Sequence, residues 1–494
     1  TFLIANLRQQ MHFTYIQDDF RVNDKLTVNA GLRYEYATPW YEKDNLMSNF
    51  DPATRTMILA KDGSLEDRAL MKPDRNNFGP RIGAAYTIND KTVLRGGYGI
   101  SYIHFHRAGG ANILAINGPQ SVTAVTNQTV ANLANGTFRT TEQGYPAGFT
   151  DPSRFNPLQA NITYMPRDYH SSRVQSYYAS VQREIAQNMI LDIAYVGNRA
   201  DDLLLFANYN QAVPNNPAGT LSLQARRPIQ EFSDITYSFN GGKSRYNALQ
   251  LKYEYRMRRG LMLLSSFTWS KAKDNGSGSL EGQGQGPQNF YDLEDSYGTS
   301  FYDQPYNSTT SFVWELPFGR GKRWLSDANG VVDAILGGWT FSGINTMTSG
   351  LATSLTYSPS AAFQVSGISQ DFRGANFYRA NVNGNPYGDK NSITNYLSRD
   401  TVTAPTDPSQ PFGNSKRNAV RGPWFWNIDM VATKEFRLPF GDQTKVQFRF
   451  EAFNLLNRTN FGAPNANRSA ANYGTITTLN GEARQMQVGL KLMF

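Results

Sequence analysis

The sequence predicts an all-β protein, an antiparallel sheet that crosses a membrane as a β-barrel. Three observations predict it. The chain closes on an amphipathic strand: from Arg484 to Phe494, the residues Met486, Val488, Leu490, Leu492 and Phe494 fall on one parity, and Gln485, Gln487, Gly489 and Lys491 on the other. A strand sends alternate side chains to opposite faces, so one face is greasy and the other mostly polar. Segments of this kind recur along the chain, and their connections alternate short, long, short, long. A membrane barrel is built that way, with short periplasmic turns and long extracellular loops. Finally, hydrophobic residues make up 40% of the 494 and aromatics 13%, yet mean hydropathy is −0.50. No apolar run approaches the roughly 18 residues of a membrane helix. A barrel strand needs only every second residue apolar, so the low hydropathy is no objection.

Taken in order, Phe13 to Val22 reads as the first strand, its parity blurred by Asp18 and Asp19. Lys25 to Tyr36 is clearer, with Leu26, Val28, Ala30, Leu32, Tyr34 and Tyr36 against Thr27, Asn29, Gly31, Arg33 and Glu35. The polar region up to Asn76 is expected to hold a hairpin at Asp62-Gly63, a type I′ turn signal. Asn77 to Ile88 and Thr92 to Tyr102 carry their apolar sets on even numbers. Facing residues share a side, so the turn between them needs an odd count, and Asn89-Asp90-Lys91 supplies a three-residue loop. After a long segment rich in Asn, Thr, Gly and Pro, Arg173 to Ile185 pairs with Ile190 to Val196. A second irregular stretch reaches Ser244. Tyr246 to Arg256 then turns into Leu261 to Lys271 across Arg258-Arg259-Gly260. Beyond a Gly-rich loop come Tyr306 to Leu316, a basic turn with a short helix over Val331 to Leu336, and Trp339 to Thr348. The longest irregular region, Leu351 to Trp424, precedes Trp426 to Phe436, Lys445 to Leu456 and the terminal strand.

That makes about thirteen strands. A 40-to-50-residue repeat, the mark of a propeller, is missing. If the last strand ends in the periplasm, the first runs inward from outside. Single-chain barrels have even strand numbers, so thirteen strands lack an upstream partner. Thr1 is not an initiator Met and no signal peptide precedes it. The expectation is that residues 1–494 are the C-terminal part of a larger barrel.

Formal net charge is +8, with Lys and Arg dispersed rather than gathered into a patch. That argues against nucleic acid and suits anionic headgroups or plain solubility. Cysteine is absent, which excludes a disulfide scaffold, thiolate metal sites and a Cys nucleophile.

Specific stretches then resemble a family. Tyr15-Ile-Gln-Asp-Asp-Phe20 followed by Leu26-Thr-Val-Asn-Ala-Gly-Leu-Arg-Tyr-Glu35 is similar to the barrel of TonB-dependent outer-membrane receptors. So are Ala194-Tyr-Val-Gly-Asn-Arg199, Tyr246-Asn-Ala-Leu-Gln250, Phe267-Thr-Trp-Ser-Lys271, Glu315-Leu-Pro-Phe-Gly-Arg-Gly-Lys322, and Glu451-Ala-Phe-Asn-Leu-Leu-Asn457 with Asn460-Phe-Gly462. The nearest subgroup carries an N-terminal carboxypeptidase-regulatory-like domain. The terminal strand, with Val488, Leu490, Leu492 and Phe494, resembles the assembly signal of outer-membrane barrels. The resemblance implies a plugged barrel of about 22 strands in a Gram-negative outer membrane, loops outside. It implies contact with lipid and lipopolysaccharide, the barrel-assembly machinery and a TonB-type energy-coupling partner, and active uptake of a bulky nutrient: an oligosaccharide, a peptide or a siderophore-like compound. It implies neither enzyme activity nor a cofactor. The plug and early strands are not in this sequence, so uptake is an expectation for the parent protein. The rival reading is a passive porin or an adhesin barrel. A third, a soluble β-rich enzyme, would fold without detergent.

Candidate site residues follow from the pattern. The four His are His12, His104, His106 and His170. His104-x-His106 places two imidazoles on one strand face, as metal ligands or as rim polar groups. A Ser-His-Asp hydrolase is not signalled. Asp292, Glu294, Asp295 and Asp303 form either a solvated acidic loop or a Ca²⁺ site without EF-hand spacing. Arg33, Arg81, Arg95, Lys252, Arg256, Arg449 and Glu451 fall on the polar parity and are expected to face the lumen. In the longest loop, Phe372, Arg373, Phe377, Tyr378, Arg379, Tyr387 and Trp424 set rings beside guanidinium groups, which suits ligand contact or loop self-packing. Ser369 to Tyr387 contains no expected strand, so its deletion is expected to abolish ligand binding while leaving the barrel folded.

Overall fold

A computed structural model of the chain describes residues 5–104, 114, 115, 117–120, 128, 130–145, 148, 151, 153, 155–158, 160, 162–258, 260–276, 287–366, 378–438 and 444–494. Thirteen long strands form one antiparallel meander in chain order. They are β1 (Met11–Arg21), β2 (Leu26–Ala37), β3 (Phe78–Asn89), β4 (Thr92–Ile103), β5 (Ser172–Ala186), β6 (Met189–Asn208) and β7 (Ile235–Arg258). β8 (Leu261–Asp274), β9 (Tyr306–Glu315), β10 (Trp339–Thr348), β11 (Phe425–Arg437), β12 (Lys445–Phe453) and β13 (Gln485–Met493) complete it. Each corresponds to a strand expected from alternation alone. Among the described residues, no helix is long and apolar enough to cross a membrane.

Because every strand reverses its predecessor, alternate connections lie at opposite ends of the sheet. One end takes residues 22–25, 90–91, 187–188, 259–260, 316–338 and 438–444. The other takes 38–77, 104–171, 209–234, 275–305, 349–424 and 454–484. Tight turns at the first end use residues that tolerate a left-handed backbone: Asn188 at φ 65° and Gly260 at φ 79°.

Cross-strand register fixes the faces. Ile82 lies opposite Ala30 and Tyr98, and Tyr98 opposite Tyr177. Ile193, Leu251 and Phe267 form another such row, and Phe341, Ala432, Phe450 and Val488 a third. This apolar face stays exposed, with Ile82, Trp269, Val488 and Leu490 all more than half accessible. A soluble sheet would cover such rows; here lipid must.

Three local expectations are corrected. β6 and β7 run well past Val196 and start well before Tyr246, so part of the stretch expected to be irregular is a tall hairpin, extended by Ile162–Tyr164 pairing parallel to β7. The β3–β4 turn is Asp90–Lys91 alone; the odd residue that parity demands is a bulge, because the register slips between Thr87 and Asn89. Asp62-Gly63 does not form a hairpin. The hairpin pairs Ser48–Asp51 with Thr56–Leu59, and Gly63 leads into a capping box in which Ser64 and Asp67 start the helix Leu65–Ala69.

The sheet has two unpaired sides. β1 is exposed along its whole length, β13 in every residue except Met493. Among the described strands neither has a second partner, and the two do not pair with each other. Buried apolar clusters sit mainly in the long connections, not on the sheet.

Candidate functional site

The six long connections fold together into a layer over one end of the sheet. Met47, Leu70 and Met71 of 38–77 pack on Leu114 and Met165 of 104–171. Leu355, Tyr396, Leu397 and Val402 of 349–424 pack on Tyr473 and Ile476 of 454–484. Between these cores runs a chain of rings. Phe50 meets Phe232 at 5.0 Å, Tyr164 meets Tyr237 at 5.0 Å, and Tyr237 stacks on Phe239 at 4.1 Å. Burial, then the neighbouring hydroxyls of Tyr237 and Tyr209, push the Tyr164 phenol up to about 12.

Ion pairs stitch the layer to itself and to the sheet. Arg227 holds Asp234 at 2.6 Å. Three pairs join the 275–305 side to the 349–424 loop: Arg379 with Asp295, Arg417 with Asp274 at the end of β8, and Arg421 with Asp303. The acidic cluster expected to be solvated or to take Ca²⁺ is thus divided. Asp295 and Asp303 are committed to guanidinium groups, while Asp292 caps the Asp295 backbone N–H at 3.2 Å and Glu294 pairs with Lys243. Among the described residues no group of three His, Asp or Glu side chains is placed to hold a metal.

The expected ligand-contact residues do not converge. Phe372, Arg373 and Phe377 lie outside the described residues. Tyr378 and Arg379 are buried. The Tyr378 hydroxyl accepts from the Val365 N–H at 2.7 Å, and burial raises its pKa. Arg379 donates to Ser415 O at 2.8 Å and Asp295 O at 3.2 Å. Burial lowers the Arg379 pKa, with Asp295 opposing. Tyr387 accepts the Arg421 N–H at 2.8 Å and carries Lys390 over its ring at 3.7 Å. Trp424 stacks on Tyr306 at 5.6 Å. Tyr306 has the parity of Phe312 and Trp314 and lies opposite Trp269, so Trp424 stands at the outer rim of the apolar face, where aromatic girdles sit. Ser369 to Tyr387 includes no strand of the large sheet among its described residues, but it supplies Ala380 to a core cluster of the loop layer and Asn381–Val382, which pairs with Val402–Thr403.

The charged residues of the polar parity share one side of the sheet. Register places Arg33, Arg81, Arg95, Lys252, Arg256, Arg449 and Glu451 on one side of the sheet. Most are answered by a neighbour two residues along or one strand over. Arg33 pairs with Glu35 at 3.1 Å, Arg256 with Glu254 at 2.9 Å, and Arg449 with Glu451. Lys252 lies 3.8 Å from Glu254, and Arg95 donates to Gln182 at 3.1 Å. Arg81 projects into a recess of about 400 Å³ lined on this face by Gln17, Asn29, Ser176, Tyr178 and Asn198. Glycine opens that recess: an added Cβ at Gly97 would stand 2.7 Å from the Tyr178 ring. Sequence reasoning found the charges but not the recess, which needs the register of six strands at once. At the outer edge of this face, His104 Nε2 lies 2.7 Å from Glu35 and its Nδ1 3.0 Å from Ser171. His106 lies outside the described residues; His104 serves to tie β4 to β2.

A family model for the outer membrane beta barrel domain matches residues 3–487. Among solved structures, the ferripyoverdine receptor of the outer membrane of Pseudomonas aeruginosa is 10% identical, covering 97% of this chain and 38% of its own, at a TM-score of 0.43. The ferric enterobactin receptor PfeA of Pseudomonas aeruginosa is 10% identical, covering 98% and 44%, at 0.46. The FrpB iron transporter from Neisseria meningitidis is 12% identical, covering 98% and 45%, at 0.43. This chain spans less than half the length of each. No curated protein matches it.

Proposed function

Because this chain belongs to the outer membrane beta barrel domain family and so lies in a bacterial outer membrane, we propose that its parent protein is an active transport receptor. In this reading the apolar face meets lipid, the polar face lines the lumen, and the long connections face the outside. The open sides at β1 and β13 are closed by upstream strands, and the lumen by an upstream plug that engages a TonB-type partner. The seven lumen residues then meet water and plug side chains. The cargo is a scarce, bulky nutrient, of the class to which a siderophore complex, an oligosaccharide or a peptide belongs.

One observation carries the proposal: the six long connections at one end are a single folded layer with its own cores and ion pairs. A pore that only lets solutes diffuse needs no such layer, whereas a capture surface does. The test is uptake by cells carrying the full-length gene, with and without the TonB partner, read as depletion of individual compounds from mixed medium. Loss of one compound's uptake in both the gene deletion and the TonB deletion is the expected outcome. Uptake that persists without TonB would favour the passive porin.

A further inference from the structure

The connection between β9 and β10 is the one long segment at the short-turn end, and it folds outward onto the apolar face. Trp324 N–H donates to Pro317 O and Gly319 N–H to Trp324 O, each at 3.0 Å, closing a tight turn with Arg320, Lys322 and Arg323 at its tip. The Phe318 and Trp324 rings meet at 5.0 Å across its base. Asn329 then caps the helix Gly330–Leu336 through the N–H groups of Val331 and Val332. Two residues of the apolar face bolt that helix to the sheet. Lys434 Nζ donates to Asp333 O at 3.0 Å and to Gly337 O, and Trp339 Nε1 donates to Ile335 O at 2.8 Å.

Between this clasp and the sheet lies a groove of about 520 Å³ with a wholly apolar lining, which includes Leu316, Phe318, Leu336, Trp339, Phe448 and Phe450. Outside the groove, Trp324, Val331 and Ile335 stand exposed. A loop in periplasmic water would not present such a surface, least of all beside an open apolar groove. At this end of an outer-membrane barrel it borders the periplasmic leaflet. Lys322 is paired with Glu315 at 3.3 Å, which leaves the exposed Arg320 and Arg323 as the cations of the tip. Guanidinium groups match phosphate oxygens bidentately.

We propose that the 316–338 clasp binds a phospholipid of the periplasmic leaflet, with an acyl chain in the groove, its phosphate on Arg320 and Arg323, and a net anionic headgroup preferred. Complementarity of charge and apolar lining argues for lipid rather than a protein partner. The inference rests on the outer-membrane location and is independent of any cargo.

The test is native mass spectrometry of the full-length protein titrated with phosphatidylglycerol or phosphatidylcholine. Retention of one phosphatidylglycerol with about tenfold preference is expected, given two cations at the headgroup level. The Arg320→Gln, Arg323→Gln double variant should lose that preference while keeping its heat-modifiable gel shift. Should that variant misfold, Arg323→Gln alone keeps the Arg320–Ala328 bond and should lose about threefold. Equal retention of the two lipids, or a preference indifferent to these arginines, overturns the site. In vesicles, acyl-brominated phosphatidylglycerol should quench the emission that Trp324→Phe removes; absence of quenching overturns the membrane seating.

Discussion

Arg379 separates two accounts of the longest loop, because a ligand contact and a structural clasp respond differently to its loss. The residue is 3% exposed, and its guanidinium serves Ser415 O, Asp295 O and the Asp295 carboxylate. The Arg379 N–H donates to Gln288 Oε1 at 3.0 Å, and Gln288 in turn donates to Asp295 at 2.7 Å. Arg379→Met therefore strands a carboxylate and two carbonyls. Breaking one side of a buried pair costs about 3–5 kcal/mol. Asp295 retains 26% side-chain exposure, so water recovers part of the loss and the low end, about 3 kcal/mol, applies. At about 1.4 kcal/mol per decade, local opening should rise about 100-fold. Hydrogen exchange on the full-length protein in micelles reads this directly. Peptides spanning 378–382 and 413–417 should exchange about two decades faster, with β10 and β11 unchanged. Adding Asp295→Leu should recover much of the protection, because replacing both partners removes the stranded charge. Unchanged exchange in those two peptides, or an equal rise in the strands, would refute the clasp.

Other perturbations separate the layers of the structure. Leu251→Lys puts a charge on the apolar face between Ile193 and Phe267 and should lower folded yield by an amount consistent with about 2–4 kcal/mol; Lys252→Gln, one residue on and on the opposite, polar face, should leave yield unchanged on a heat-modifiability gel. Phe50→Ala empties the meeting point of three long connections and should loosen residues 48–59 to protease by about 3–5 kcal/mol of local stability, without altering barrel mobility. Burial pushes the phenols of Tyr396 and Tyr473 up to about 12. Ordinary phenols in the unfolded chain titrate near 10, so these two add stability that is complete below about pH 10 and lost as pH rises through about 12. Proteolysis of the 349–424 and 454–484 loops should therefore begin in that window while the strands stay protected; loops that resist protease throughout it would contradict the burial.

All thirteen strands are legible in the sequence because period-two alternation is local: each can be read from about ten residues without its partners. The faces follow for the same reason, and with them the common side of the sheet shared by the seven charged residues of the polar parity. What stays hidden depends on residues far apart. Arg417 and Asp274 are 143 positions distant, and nothing near either one marks it as half of a buried pair; an acidic cluster on its own reads as a solvated loop. The tall ends of β6 and β7 escape a sequence reading because Asp201, Asp202, Gly241 and Gly242 carry turn chemistry, and register shifts absorb them where the ladder continues. Tyr378 and Arg379 suggest a recognition surface on composition alone. Rings beside guanidinium groups suit a ligand and a loop core equally, and only burial tells the two apart. The helix at Gly330–Leu336 is visible in the sequence, but its outward docking is not, since that depends on Lys434 and Trp339 from neighbouring strands.

The two unpaired sides of the sheet have a consequence for biogenesis. Along β1 and β13, roughly every second backbone N–H and C=O points sideways without a strand partner among the described residues. In water those groups would be hydrated; in hydrocarbon each costs several kcal/mol. An open sheet of this kind therefore has no stable resting state inside a bilayer, and a shortened barrel would not persist there as a leaky hole. Insertion and closure of the seam must be a single event, with both rims sheltered until they meet a strand. The membrane itself thus acts as the inspector of completeness, admitting only a wall whose first and last strands have found partners.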